Sequence, residues 1–335
     1  MIPTLPIADT TFVDATWILI VKSLVIFAVI LGIVPVVLLA ERKLLGRFQN
    51  RYGPNRVGPY GSLQPLADVG KLLSKQGFRT KGAVPFLYEI APALSILSAV
   101  LILAILPFGD VQGGVGFYGI DVPIGILYFF AFGALAFYGL LLGGWASGSK
   151  YSFLGAMRSA AQLISYELAM GLSLLGVVLM AGSLSLVDIV KAQGEIWFIV
   201  PQVVGFLIFL IAGFAETNRV PFDLPEADAE LVAGYSTEYG GMRFGSYFFA
   251  EYMEILIIAG ITSTMYLGGW MGPGPSWLDP IWMLAKMAVI TFFFIWIRAT
   301  LPRFRYDQLM SFGWKVLIPL ATLNVLVTAI LVVVW

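Results

Sequence analysis

The chain has 335 residues, 59% hydrophobic and 12% charged, with a mean hydropathy of +0.89. Soluble domains carry about 25% charged residues, so an integral membrane protein is expected. Its 20 Lys and Arg balance 20 Asp and Glu with no basic, aromatic-rich tract, which argues against a nucleic-acid partner. Cysteine and histidine are both absent. Haem ligation by either residue, iron-sulfur ligation, the usual zinc sites and a thiol or imidazole nucleophile are therefore excluded. Electron carriers, if the protein serves redox chemistry, belong to partner chains or to a diffusible substrate.

The N-terminal MIPTLPIADTTFVDATW has neither a basic region nor a small-residue cleavage site, so the first apolar run is expected to be a retained span. A spanning helix needs about 20 mostly apolar residues. Eight stretches qualify: 17–39, 84–106, 122–142, 160–181, 196–215, 247–267, 281–299 and 309–334. The expected fold is an all-α integral membrane protein, a single membrane domain over 1–335. Eight transmembrane helices are joined by an amphipathic interfacial helix and ordered cytoplasmic loops.

Orientation follows from the cations in the connecting segments. Arg42, Lys43, Arg47, Arg51, Arg56, Lys71, Lys75, Arg79 and Lys81 lie between the first two spans. Lys150, Arg158, Arg219, Arg243, Arg298, Arg303, Arg305 and Lys315 lie at the joins that alternate with the opposite face, so 17 of the 20 cations share one side. The prediction is a multi-pass membrane protein. Both termini face the periplasm or its equivalent, and the basic loop 40–82 and the acidic loop 216–246 are cytoplasmic.

The basic loop is too long and too patterned for a connector. Gly53-Pro54-Asn55 and Gly58-Pro59 mark turns, and Leu63, Leu66, Val69, Leu72 and Leu73 recur at helical spacing up to Lys75. This reads as an amphipathic helix in the membrane interface. Its cations suit anionic lipid headgroups. Arg51 and Arg56, set among turn residues, also suit a protein or ligand contact.

Two motif-like runs carry no site. Gly114 to Gly119 is a formal GxGxxG, but Pro123 follows at once and no strand precedes it. Glu226, Asp228 and Glu230 have calcium-loop spacing, yet Leu231 and Thr237 stand where the glycine and the final acid belong. Gly139, Gly143, Gly144 and Gly148 form small-xxx-small pairs that predict close helix packing.

Carboxyl groups inside the spans are more informative, because a charge at the bilayer centre costs about 2.5–3.5 kcal/mol on insertion scales and such residues usually line polar paths. Glu89, Glu167, Glu216, Glu251 and Glu254 all fall in the half of the spans that the acidic loop enters. The alternative is a set of separate acids, each paired with arginine or backbone. Lys286 in the seventh span stands alone toward the opposite side, with no role assigned.

The segment ETNRVPFDLPEADAELVAGYSTEY, Glu216 to Tyr239, concentrates Glu216, Asp223, Glu226, Asp228, Glu230 and Glu238. At an effective dielectric near 20, each close like-charge pair costs roughly 2–4 kcal/mol, which couples their titrations. Asp223 and Glu226 have capping-box spacing and Gly234 supplies a stop. A short helix is expected, with Glu226 and Glu230 on one face and Asp228 turned away. A solvated acidic loop is the alternative reading.

Three motifs together resemble one family: AERKLLGRFQNRYGPNRVGPYGSLQPLADVGKLLSK at 40–75, AETNRVPFDLPEADAELVAGYSTEY at 215–239, and RATLPRFRYDQLMSFGWKVLIP at 298–319. With ISYELAMGL around Glu167, they make the chain similar over nearly its whole length to the H subunits of respiratory complex I, the bacterial NADH:quinone oxidoreductase. The resemblance implies a non-redox-centre subunit of that translocase, at the junction of the membrane and peripheral arms. It would form the membrane side of the quinone chamber and its lipid-facing entrance. The chamber and entrance would involve Arg42, Arg51, Asp68, Arg219, Arg298 and Gly61, the last in a wall shaped by Gly53 to Gly61. Proton coupling would run through Glu167, Glu216, Glu226, Asp228, Glu230 and Glu251, although some relatives carry Glu where this chain has Asp228. The chain alone would bind no cofactor, quinone being its substrate. Iron-sulfur clusters and FMN would sit on partner subunits. Its partners would be the peripheral subunits of the quinone site and terminal cluster, small and antiporter-like membrane subunits, and lipids.

Two alternatives remain at this point. Similar subunits serve ferredoxin-, F420- and hydrogenase-linked membrane complexes, and co-purifying soluble subunits distinguish these. A stand-alone proton-coupled carrier would usually show two corresponding halves with broken helices, and no matching half is found.

Overall fold

The structure, a computed structural model, describes residues 16–112, 115–225 and 231–334, which are largely helical. Helix α1, Thr16–Phe48, runs on past the predicted end at Leu39. The residues ERKLL and Arg47 are good helix formers, and the helix stops where Asn50 adopts a left-handed φ of 55° ahead of Gly53-Pro54. Helix α2, Gln64–Ser74, is the amphipathic element of the basic loop. Leu66, Val69 and Leu73 are exposed on it.

The remaining helices are α3 Pro85–Leu103, α4 Gly125–Ala146, α5 Lys150–Ala181, α6 Leu186–Ala192, α7 Val203–Glu216, α8 Met242–Tyr266, α9 Asp279–Thr300, α10 Tyr306–Phe312 and α11 Ile318–Val334. A π turn, Gly313–Leu317, joins α10 to α11 beneath the ring of Tyr166. Helix α8 is the hub of the bundle. It touches α1, α3, α6, α7 and α9, and every residue from Ile255 to Tyr266 is buried.

Seven helical units among the described residues are long and apolar enough to cross a membrane, which makes this an all-α membrane protein. The predicted count of eight does not carry over in full. The stretch 196–215 yields α7, an apolar helix of 14 residues, about 21 Å against a hydrocarbon core of about 30 Å. Pro201 breaks its N-terminal side, and Gln193 takes over there, accepting from the backbone N–H of Phe198 and of Gly268.

A second difference is a small antiparallel hairpin, β1 Pro107–Gln112 with β2 Val115–Tyr118, so a strand does precede the glycine run where none was expected. Gly116 lies within β2, where a Cβ would meet the ring of Tyr118, so the GxGxxG run includes a strand and not a strand-to-helix turn.

The small-residue stripe of α4 does bring helices together. A Cβ on Gly139 would overlap Ser95 Oγ of α3, and one on Gly144 would overlap Ala156 Cβ of α5. The joins rich in cations also meet one another. Val84 N–H donates to Ala146 O, Tyr88 Oη donates to Glu238 O, and Phe304 N–H donates to Pro221 O. These contacts gather the start of α3, the ends of α4, α7 and α9 and the segment before α8 at one end of the bundle.

Candidate functional site

At that end the turn after α7 is pinned from several directions. Gln162 of α5 donates to the carbonyls of Ala215 and Phe222, at 2.8 and 2.9 Å, and so fixes both flanks of the turn. Arg303, beyond α9, pairs with Asp223 at 2.6 Å. Between these anchors the chain drives Arg219 into the bundle, where the residue is 6% exposed.

Arg219 is the centre of a buried ionic cluster. Its Nη1 donates to Glu41 Oε1 of α1 at 2.9 Å, its Nε lies 2.6 Å from Glu251 Oε1 of α8, and its guanidinium stands 4.5 Å from the ring centroid of Tyr252. Arg298, in the last turn of α9, donates to the same Glu41 oxygen. Two carboxylates and two guanidiniums are thus held together and balance in charge. Burial works against the Arg219 cation, but Glu251 and Glu41 outweigh it and hold the guanidinium above its ordinary pKa.

From this cluster a line of acids continues inward. Glu254 lies about one turn along α8 from Glu251, and Glu216, at the end of α7, is within electrostatic reach of both Glu254 and Glu167 of α5. Glu216 Oε2 is buried and has no hydrogen-bond partner among the described residues. The arrangement can redistribute charge and hold protons at successive carboxyl groups without leaving the bundle.

The other predicted site residues separate into distinct places. Arg42 of α1 and Asp68 of α2 pair with each other at 2.5 Å, with Lys71 at 3.7 Å from the same carboxylate. Arg51 is exposed; its Nε donates to Gln49 Oε1 and its backbone N–H to Gly46 O, each at 2.8 Å. Gly61 is buried at φ 76°, and a Cβ there would overlap Pro54 O, so its role is to allow the turn to close. Glu226, Asp228 and Glu230, and with them the expected short acidic helix, lie outside the described residues.

Two expectations need correction. Glu89 does not join the buried acids. It is half exposed and clamped by Arg243 through two hydrogen bonds of 2.7 and 2.5 Å. Lys286 does not stand alone. Its Nζ donates to the carbonyls of Leu267, Gly269 and Met271 and lies 4.4 Å from the ring centroid of Trp197, so the backbone beyond α8 satisfies the charge.

Glu41 and Tyr252 had no place among the site residues expected from the sequence. For Glu41 a signal existed: Ile30, Val34, Leu38 and Glu41 follow a helical repeat, and all four are buried. Extending that periodicity beyond the apolar run would have turned Glu41 inward. Among the described residues no group of three or more Asp or Glu has a metal-holding arrangement.

Fold and site together define a multi-pass helical membrane protein with a buried ion-pair cluster that opens onto a line of carboxyl groups. A family model described as NADH dehydrogenase matches residues 21–329, and the chain belongs to that family. It is 53% identical over 315 residues to the first of the H subunits of NADH-quinone oxidoreductase from Geobacter metallireducens, covering 92% of this chain and 94% of the relative. To the NADH-quinone oxidoreductase H subunit of Protochlamydia amoebophila it is 50% identical over 293 residues, 86% of this chain and 90% of the relative. To the protein of the same name from Thermomicrobium roseum it is 48% identical over 324 residues, 91% and 93% of the two chains.

Proposed function

We propose that this chain is the H-type membrane subunit of a proton-pumping NADH:quinone oxidoreductase. In this reading it forms part of the quinone chamber and couples quinone reduction to proton movement through its buried carboxyl groups. The observation that carries the reading is Arg219, which joins Glu41 and Glu251 at the head of the line through Glu254, Glu216 and Glu167. Arg42, Arg51, Asp68, Arg298 and Gly61 belong to the chamber and its entrance. Glu226, Asp228 and Glu230 belong to the loop end of the acid path.

The orientation proposed is the one that satisfies the cation asymmetry, with the site end and both long loops cytoplasmic and both termini periplasmic. Peripheral subunits would cover the site and bring the electrons, since this chain lacks the Cys and His that bind most redox centres. Antiporter-like and small membrane subunits would adjoin the bundle.

Quinone reduction to quinol takes up two electrons and two protons. Negative charge developing on the headgroup attracts the guanidinium of Arg298, the more exposed of the two arginines. Glu41 then depends more on Arg219, which weakens the Arg219 contact to Glu251. A less neutralised Glu251 gains a proton, and Glu254, Glu216 and Glu167 are its onward positions.

The test is replacement of Glu216 or Glu251 by Gln in the intact membrane complex, with quinone-dependent electron transfer and proton pumping measured in vesicles. Both replacements are expected to lower pumping in an assembled enzyme. Wild-type pumping by both would overturn the coupling, and a defect confined to assembly would reduce these acids to a structural part.

A further inference from the structure

A small cavity lies between α3, α4, α8 and the turn after α7, in the middle of the proposed acid path. Its volume is about 10 Å³, and Ser95, Asn218, Tyr235, Tyr247, Glu251 and Glu254 line it. That volume is at the lower limit for one water molecule, which in a protein interior needs two to four polar partners.

The lining supplies them. Ser95 is 2% exposed, and its Oγ has no hydrogen-bond partner among the described residues. A buried hydroxyl left unpaired costs about 1–3 kcal/mol, so a partner in the cavity is favoured. The amide of Asn218 is only loosely engaged, accepting from Gln162 Nε2 at 3.4 Å and donating to Glu216 O at 3.5 Å. Tyr247 donates its hydroxyl to Gly139 O at 3.1 Å and also contacts the Tyr239 hydroxyl, so it closes one wall of the cavity. Glu251 is held by Arg219 through one oxygen.

We infer that this cavity binds one water molecule between Ser95, Asn218 and Glu254, and that this water carries the proton between Glu251 and Glu254. The water takes a proton from the Glu251 carboxyl on a lone pair and releases one of its own to the Glu254 carboxylate, so it is unchanged after each transfer. Ser95 and Asn218 are positioning residues that orient it. Ser95 lies opposite Gly139 because a side chain there would occupy the place of its Oγ.

The inference rests on the proposed coupling function, and its test separates the two. In the intact complex, Ser95→Val replaces the hydroxyl by a methyl group and fills the cavity, and Ser95→Ala removes the hydroxyl alone. Glu216→Gln serves as the control for the acid path. Redox-difference infrared spectra in water and in 18-oxygen water, together with pumping in vesicles, are the readouts.

The wild type is expected to show an O–H band that shifts with the isotope. Ser95→Val should lose the band and lower pumping on the order of tenfold, below the 10²–10⁴ that a positioned proton-transfer group commonly contributes. Ser95→Ala should shift the band. If Ser95→Val does not assemble, Ser95→Ala decides by the same two readouts. Unchanged band and pumping in the Ser95 variants, with Glu216→Gln defective, would overturn the water link and leave the acid path standing. Normal pumping in Glu216→Gln would overturn both.

Discussion

Glu41 and Arg219 are 178 positions apart and pair at 2.9 Å, the one 3% and the other 6% exposed. A single oxygen of Glu41 also accepts from Arg298. This carboxylate therefore bridges two guanidiniums carried by different parts of the fold, and Glu251 supplies the second negative charge. Breaking a buried pair by removing one partner is costly because the other charge stays behind without compensation.

Glu41→Ala is accordingly expected to destabilise the subunit by about 3–5 kcal/mol, since both arginines lose a counter-charge. Thermal dissociation of the purified complex measures this. The double replacement Glu41→Ala with Arg298→Ala should recover part of the loss, because the cluster regains charge balance.

Arg219→Lys should not be a conservative change. The guanidinium meets Glu41 through Nη1 and Glu251 through Nε, and it lies against Tyr252, whereas an ammonium is a compact point charge on a flexible stem. Lower quinone reductase activity per assembled complex is expected, measured by spectrophotometric turnover against complex content.

Glycine positions on α4 should divide by their surroundings. Gly139→Ala drives its Cβ into Ser95 Oγ and to 3.0 Å from Ala91 O, which corresponds to an overpacking cost of about 1–3 kcal/mol. Gly133 has nothing within 4 Å of a Cβ, so Gly133→Ala should be neutral or slightly stabilising. The dissociation temperatures of the two variants should separate in that order.

Lys286→Met would leave the carbonyls of Leu267, Gly269 and Met271 without their shared donor. A loss of about 1–3 kcal/mol is expected from the unsatisfied buried groups, read as a lower dissociation temperature. Electron transfer and pumping per assembled complex should match the wild type, because Lys286 lies at the far end of α8 from the ionic cluster.

Glu89→Gln provides the contrast to Glu251. The Glu89–Arg243 pair is part-exposed, at 48% and 31% for the two side chains, and such pairs contribute about 0–1 kcal/mol. Pumping and stability close to wild type are expected, whereas Glu251→Gln should impair pumping in the same assay.

The amino-acid order by itself determined the class of the protein and the location of its chemistry. Apolar run length marks membrane helices because hydrophobic burial is a local requirement at each span. The grouping of cations, the lack of His and Cys, and the motifs around Arg42, Arg219 and Arg298 are likewise legible one segment at a time. Periodicity carried the amphipathic helix to within a residue or two of Gln64–Ser74, and the same periodicity held an unread signal in Glu41.

The tertiary structure decided which of the charged residues meet. Glu89 and Glu251 look equivalent as span carboxyls, yet one faces Arg243 at the surface and the other faces Arg219 inside. Lys286 finds its partners in the turn after α8, and α7 is shortened by Pro201 and by the side chain of Gln193 from another segment. Charge pairing depends on distance in space, and between residues such as Glu41 and Arg219 that distance is set by the packing of α1, α8 and α9 around the turn after α7.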